Sequence, residues 1–238
     1  ALKLMRLKGT SLKKNSKKLG IISLRGNWHG RTMGAQMMSG KNAQSRWIGF
    51  HDKNMYHLDF PYPWSANEKT GNEFFLKSLK KSFPKKFNFN KKNKILITID
   101  EMQSGFGRTG YKFLYEYYKL NPDILCCGKA MGSGFPLSGV ISRSEIMNIP
   151  KIGDMSSTHS ANPVACSAGL ATLKEINKKK LVENSNVLGK IFSNELKKLK
   201  ENFPQYINFV SSKGLIGAII FKNDKKNIGT RLANKITI

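Results

Sequence analysis

The run Lys94-Ile95-Leu96-Ile97-Thr98-Ile99 constrains the fold most, because it is apolar at nearly every position and stops abruptly at Asp100-Glu101. A strand with one wet face alternates apolar and polar residues. One that does not alternate must be covered on both faces, as in a parallel sheet. Shorter runs of the same kind occupy Ile124–Cys127 and Leu137–Ser142, and Leu19–Leu24 feeds a turn bounded by Gly26 and Gly30. Between them, helical spacing is expected over Asn72–Leu79, Tyr111–Leu120 and, as one long helix, Pro163–Asn186, while Ala1–Leu7 reads as the end of a helix. Strands alternating with helices predict an α/β chain whose mostly parallel sheet is flanked by helices. Phe209-Val210 and Leu215–Phe221 read as strands of a second, smaller unit, so a large domain is expected over 1–186 and the start of a small one over 187–238.

Function classes are narrowed by charge and cysteine usage. The formal charge is +26, but Lys supplies 34 of the 41 basic residues. Planar, bidentate recognition of bases and phosphates favours Arg, and these lysines are scattered in short runs among Asn and Ile. A solvated surface is therefore expected rather than a nucleic-acid footprint. No apolar run approaches the roughly 20 residues of a membrane span. Cys126, Cys127 and Cys166 form neither a disulfide framework nor a zinc pattern, and His29, His51, His57 and His159 lack metal spacing. No metal is expected, and a reducing cytoplasm fits. The sequence opens on Ala1 without a secretory pattern, and is expected to begin inside a longer protein.

The chemistry gathers at three places: Asp100 after the buried strand, Lys129 after the next short strand, and the Gly30-Arg31 turn. Strand ends at the carboxyl edge of a parallel sheet are where α/β proteins bind ligands. Lys129 lies in Cys127-Gly128-Lys129-Ala130-Met131-Gly132-Ser133-Gly134. Small residues there allow close approach of backbone and ligand, and an apolar flank favours the neutral, nucleophilic form of an amine.

The segment from Asp100 to Gly110 (DEMQSGFGRTG), with Pro122–Leu125 and Gly128-Lys129-Ala130, resembles the class III aminotransferases, a family that includes 4-aminobutyrate, ornithine and acetylornithine aminotransferases. The likeness extends through Trp28-His29-Gly30-Arg31-Thr32 and Ser157–Pro163. It implies the fold of the fold-type I pyridoxal-phosphate-dependent transferases, with pyridoxal 5'-phosphate as cofactor. By that resemblance Lys129 forms the Schiff base and Asp100 pairs with the pyridine nitrogen. Gln103 bonds the ring hydroxyl, Met102 packs on one ring face, and Trp28, beside His29, stacks on the other. Arg31 resembles the arginine that grips a substrate carboxylate, the alternative being a structural arginine at a turn. Thr158 matches a threonine that reaches the phosphate of a neighbouring subunit, which implies a homodimer.

Two features depart from the family pattern. The chain opens at the helix that normally follows a Gly-Ser-rich phosphate loop, and it stops soon after Phe221, so it is expected to be partial at both ends. Between Arg31 and Asp100 no strand ending in a Glu-Pro motif is recognisable, which predicts an internal deletion of about 30 residues, one strand plus one helix. The function implied is ping-pong transamination between an amino acid or ω-amine and an oxo acid, 2-oxoglutarate or pyruvate. Decarboxylation or racemisation on the same scaffold and a catalytically inert, basic fragment are the alternatives.

Overall fold

The computed structural model describes residues 1–11, 19–60, 68–82, 95–222 and 228–236. In chain order its elements are α1 (Leu2–Ser11), β1 (Ile21–Leu24), α2 (Met33–Ser39), α3 (Asn42–Ser45), β2 (Met55–Leu58), α4 (Glu68–Ser82), β3 (Thr98–Asp100), α5 (Leu114–Tyr117) and β4 (Ile124–Cys127). There follow β5 (Gly139–Ser142), α6 (Ser144–Met147), α7 (Pro163–Lys178), α8 (Leu181–Asn202), β6 (Ile207–Lys213), β7 (Ile216–Phe221) and α9 (Ile228–Ile236). Short 3-10 turns occupy Arg46–Ile48 and Lys129–Gly132. Two compact units result, one from 1–96 with 142–156, the other from 97–141 with 157–238.

In the first unit β1 and β2 run parallel, in register from Ile21 opposite Met55 to Leu24 opposite Leu58. Leu4, Ala35, Ile48, Leu58 and Ile146 are its buried apolar residues. The crossover α2 ends on Gly40 in the left-handed conformation, φ +62°, and a Cβ there would sit 2.6 Å from the His57 ring of β2. Both the backbone sign and the close ring require glycine. The salt bridge from Arg6 Nη2 to Asp52 Oδ2, 2.7 Å, ties α1 to the loop before β2.

In the second unit β3, β4 and β5 are hydrogen-bonded in that order, with β3 and β4 parallel and Asp100 opposite Cys126. Ile124 and Cys127 are almost fully buried, as a run apolar on both sides demands. Helix α7 begins on a side-chain cap: Asn162 Oδ1 accepts from Val164 N, 3.0 Å, and Ala165 N, 3.3 Å, with Pro163 at the first helical position. The antiparallel pair β6–β7 packs against α8, where Gly189 faces Gly214 of the hairpin turn.

Several expectations are corrected. The expected helix from Pro163 to Asn186 is two helices, broken where Lys180 adopts φ +50°. The expected helix over Tyr111–Leu120 forms only at Leu114–Tyr117, since Phe113 is extended and the Lys112 carbonyl accepts from Gly107 N. Strand β2 is not anticipated by the sequence reading. It ends in His57-Leu58 and pairs with β1, and no strand ending in Glu-Pro lies among the described residues. Among the described residues, one parallel pair lies in each unit. Residues 83–94, including the start of the Lys94–Ile99 run, lie outside the described residues.

Candidate active site

Because β3 and β4 are parallel neighbours, their carboxyl ends leave the sheet at one edge, about 4.8 Å apart. Asp100 is the last residue of β3 and Lys129 follows β4 by two positions. The backbone ladder continues one step beyond the strands, with Glu101 N donating to Cys126 O at 2.8 Å. One carboxylate oxygen of Asp100, Oδ1, accepts from Met102 N at 3.1 Å, which turns the side chain back over its own loop.

Met102 then covers Gly128. A Cβ at Gly128 would lie 2.6 Å from Met102 Cε, 2.9 Å from its sulfur and 3.1 Å from Ser138 Cβ, so the Met102 side chain occupies the space that a larger residue would take. Lys129, directly after it, holds φ +47°, a left-handed conformation unusual for lysine, and opens the 3-10 turn closed by Met131 N to Gly128 O at 3.1 Å. Strain of this kind concentrates where a side chain must be aimed. Lys129 is exposed, so the apolar enclosure expected of its neighbours does not cover it among the described residues. Gln103 and Thr158 are exposed too.

Burial pushes the Cys126 thiol above its ordinary value, with Asp100 and Cys127 adding to the rise. Cys127 is raised by burial against a weaker opposing bond to Gly139 O. Neither is primed as a nucleophile, since the thiolate is the reactive form.

The structure gathers Asp100, Met102, Gln103 and Lys129 in the second unit. In the first unit it pairs Arg31 with Trp28, the guanidinium carbon 5.0 Å from the indole centroid. Trp28 is half exposed and His29 half-buried beside it. The sequence reading overlooked Glu101, which is 1 % exposed. Its carboxylate accepts from Tyr115 N at 2.7 Å through Oε1 and from the Ser104 hydroxyl through Oε2. An acidic residue next to Asp100 with a serine three positions on was the available signal. Among the described residues no cluster of metal-binding side chains occurs, and no helix is long and apolar enough to cross a membrane.

A family model described as aminotransferase class-III matches residues 78–237. The acetylornithine aminotransferase of Archaeoglobus fulgidus is 34% identical over 79% of this chain and 52% of its own length. That of Caldanaerobacter subterraneus is 30% identical over 99% of this chain and 63% of its own. The crystal structure of an (S)-enantioselective omega-transaminase from Thermomicrobium roseum superposes with a TM-score of 0.80 at 28% identity, over 94% of this chain and 58% of that one. The chain thus spans little more than half the length of these relatives. With a matched region that takes in Asp100, Gln103, Lys129 and Thr158, the chain belongs to the class-III aminotransferase family.

Proposed function

We propose that this chain is a large part of an aminotransferase that holds pyridoxal 5'-phosphate at Lys129. The observation that carries the reading is the exit of Asp100 and Lys129 from adjacent parallel strands at one sheet edge, with glycine between the Met102 turn and the lysine. The residues present fit the group. An anionic side chain stands at the strand end, already oriented by Met102 N, and the position before the lysine has no side chain to fill the space. When bound, the cofactor supplies an electron sink for the substrate's α-carbon.

Lys129 would provide the amine that holds the cofactor and would move a proton at the substrate's α-carbon as general base and acid. Asp100 keeps the pyridine nitrogen protonated, Gln103 donates to the ring oxygen, and Met102 packs against a ring face. Trp28, with His29 beside it, stacks on the other face. Arg31, already held over Trp28, grips the carboxylate of an ω-amino acid or the distal carboxylate of 2-oxoglutarate, the oxo-acid acceptor being 2-oxoglutarate or pyruvate. Both half-reactions share one site, hence a ping-pong order. Thr158 lies in an exposed loop and reaches the phosphate in a second subunit of a cytoplasmic homodimer. The large cofactor-binding domain runs to Asn186, with the small domain from Val187.

The test is to incubate the chain with pyridoxal phosphate, reduce with borohydride and map the label by mass spectrometry. Label concentrated on Lys129 among the 34 lysines is expected. Label distributed over surface lysines in proportion to their exposure refutes the assignment.

A further inference from the structure

Resting on the reading of Asp100 and Gln103 as cofactor contacts, we propose that Glu101 is the positioning residue that fixes both, through hydrogen bonds rather than through its charge. Asp100 and Gln103 flank a turn whose conformation no strand partner dictates beyond Glu101 N. Glu101 is buried, and its side chain reaches the start of α5. There one oxygen takes the N–H of Tyr115, in the first turn of α5, and the other takes the Ser104 hydroxyl. Its own carbonyl accepts from Gly105 N at 3.0 Å. The residue therefore fastens the Asp100–Gly105 turn at three points, two through the side chain. Among the described residues no lysine or arginine forms a salt bridge with it.

The surroundings explain why such a fastener is required. The turn continues into Gly105, whose missing Cβ would meet Glu101 O at 2.9 Å and the Phe113 ring at 3.0 Å, and into Phe106 at φ +58°. The ring of Phe113 meets that of Phe106 edge-on at 5.4 Å. These contacts place the far side of the turn, and Glu101 fastens the side that carries Asp100 and Gln103. A carboxylate with two lone-pair directions on each oxygen does this for two donors at once.

The chemistry separates position from charge. A glutamine has the same shape; its carbonyl oxygen accepts from Tyr115 N, and its amide donates to Ser104 Oγ, because a hydroxyl accepts as readily as it donates. Glu101→Gln therefore preserves the turn, whereas Glu101→Ala releases Tyr115 N and Ser104 together.

The reporter is the Met102 amide, whose hydrogen is bonded to Asp100 Oδ1 and so reads the position of that carboxylate without any cofactor. Amide hydrogen exchange is compared in the native chain, Glu101→Gln, Glu101→Ala and Ser104→Ala, with the amides of the β6–β7 hairpin as internal standard. Exchange at Met102 is expected to quicken by roughly tenfold in Glu101→Ala, the change that loss of about one buried hydrogen bond implies. Ser104→Ala falls between, Glu101→Gln stays within about twofold of native, and the hairpin is unmoved in all.

Equal exchange in Glu101→Gln and Glu101→Ala, or acceleration shared by the hairpin, overturns the proposal. If Glu101→Ala does not fold, an unchanged Met102 rate in Ser104→Ala does so as well. Titration with pyridoxal phosphate then follows the same order of variants, weakest for Glu101→Ala. Absence of Lys129 labelling in the native chain sinks the functional reading while leaving the exchange result to stand or fall alone.

Discussion

Replacing Gly189 by alanine sets two physical effects of opposite sign against each other. In the interior of a 22-residue helix, alanine is ordinarily better than glycine by about 0.5–1 kcal/mol, because glycine loses more backbone freedom on folding. Here the added Cβ would lie 2.6 Å from Gly214 Cα and 2.9 Å from its carbonyl carbon and oxygen. All three are backbone atoms, so no side chain can swing away. Restoring an ordinary carbon contact of about 3.5–4.0 Å requires the hairpin turn to retreat by roughly 1 Å.

Retreat is blocked behind it. The opposite side of Gly214 faces the Thr109 backbone, where a Cβ would meet carbon atoms at 2.4 and 2.6 Å, and Leu215 N donates to Arg108 O at 2.9 Å. Overpacking costs about 1–3 kcal/mol, and a weakened hydrogen bond adds roughly 0.5–1.5 kcal/mol. Less the propensity gain, Gly189→Ala is expected to destabilise by about 1–3 kcal/mol. The assay is urea unfolding followed by far-ultraviolet circular dichroism. Gly71→Ala serves as contrast: it lies in α4 with nothing within 4 Å of its Cβ, and is expected to stabilise by about 0.5–1 kcal/mol. An unfolding midpoint for Gly189→Ala at or above the native value would refute the reasoning, since it would mean that the three backbone segments are not in contact.

The left-handed backbone of Lys129 predicts that Lys129→Gly raises stability while abolishing cofactor attachment: relief of about 1–2 kcal/mol is offset by roughly 0.5–1 kcal/mol of added freedom in the unfolded chain. Lys129→Ala loses attachment without that gain, and equal melting temperatures for the two variants would contradict the assignment of strain. For Asp52, burial alone would raise the carboxyl, but the Asn54 N–H and the Arg6 guanidinium outweigh it and hold it below 3.8. Its contribution is therefore complete above that value and lost as pH falls through the lowered one. Asp52→Asn should lower the urea midpoint near neutrality, by about 1 kcal/mol of stability, with the gap from the native chain closing in acid; a gap independent of pH would argue against the pairing.

Much of the cofactor edge is legible before any coordinates. Ile124–Cys127 is a short apolar run that has to be covered on both sides, and it is, so the exit of Gly128-Lys129 beside Asp100 follows from strand direction alone. What escaped reading has physical causes. Strand β2 is four residues, Met55-Tyr56-His57-Leu58, whose burial comes from packing with α2 and α4 rather than from a pattern. The break between α7 and α8 falls in Lys178-Lys179-Lys180, where no glycine or proline marks it, because Lys180 takes a left-handed conformation that lysine rarely adopts. The role of Glu101 could not be read because it depends on Tyr115, fourteen residues away, whose approach is set by an aromatic cluster rather than by local sequence.

The spacing between Asp100 and Lys129 is measured by a backbone ladder, not by side chains. A chain this rich in lysine can exchange exterior residues without touching that ruler, because hydrogen bonds between peptide groups are indifferent to the residues that carry them. Beyond the side chains proposed to act, the constrained positions are those where a residue must be small, such as Gly105, or must fasten a turn. Constraint on this edge therefore begins one layer in, where the backbone itself makes the contact.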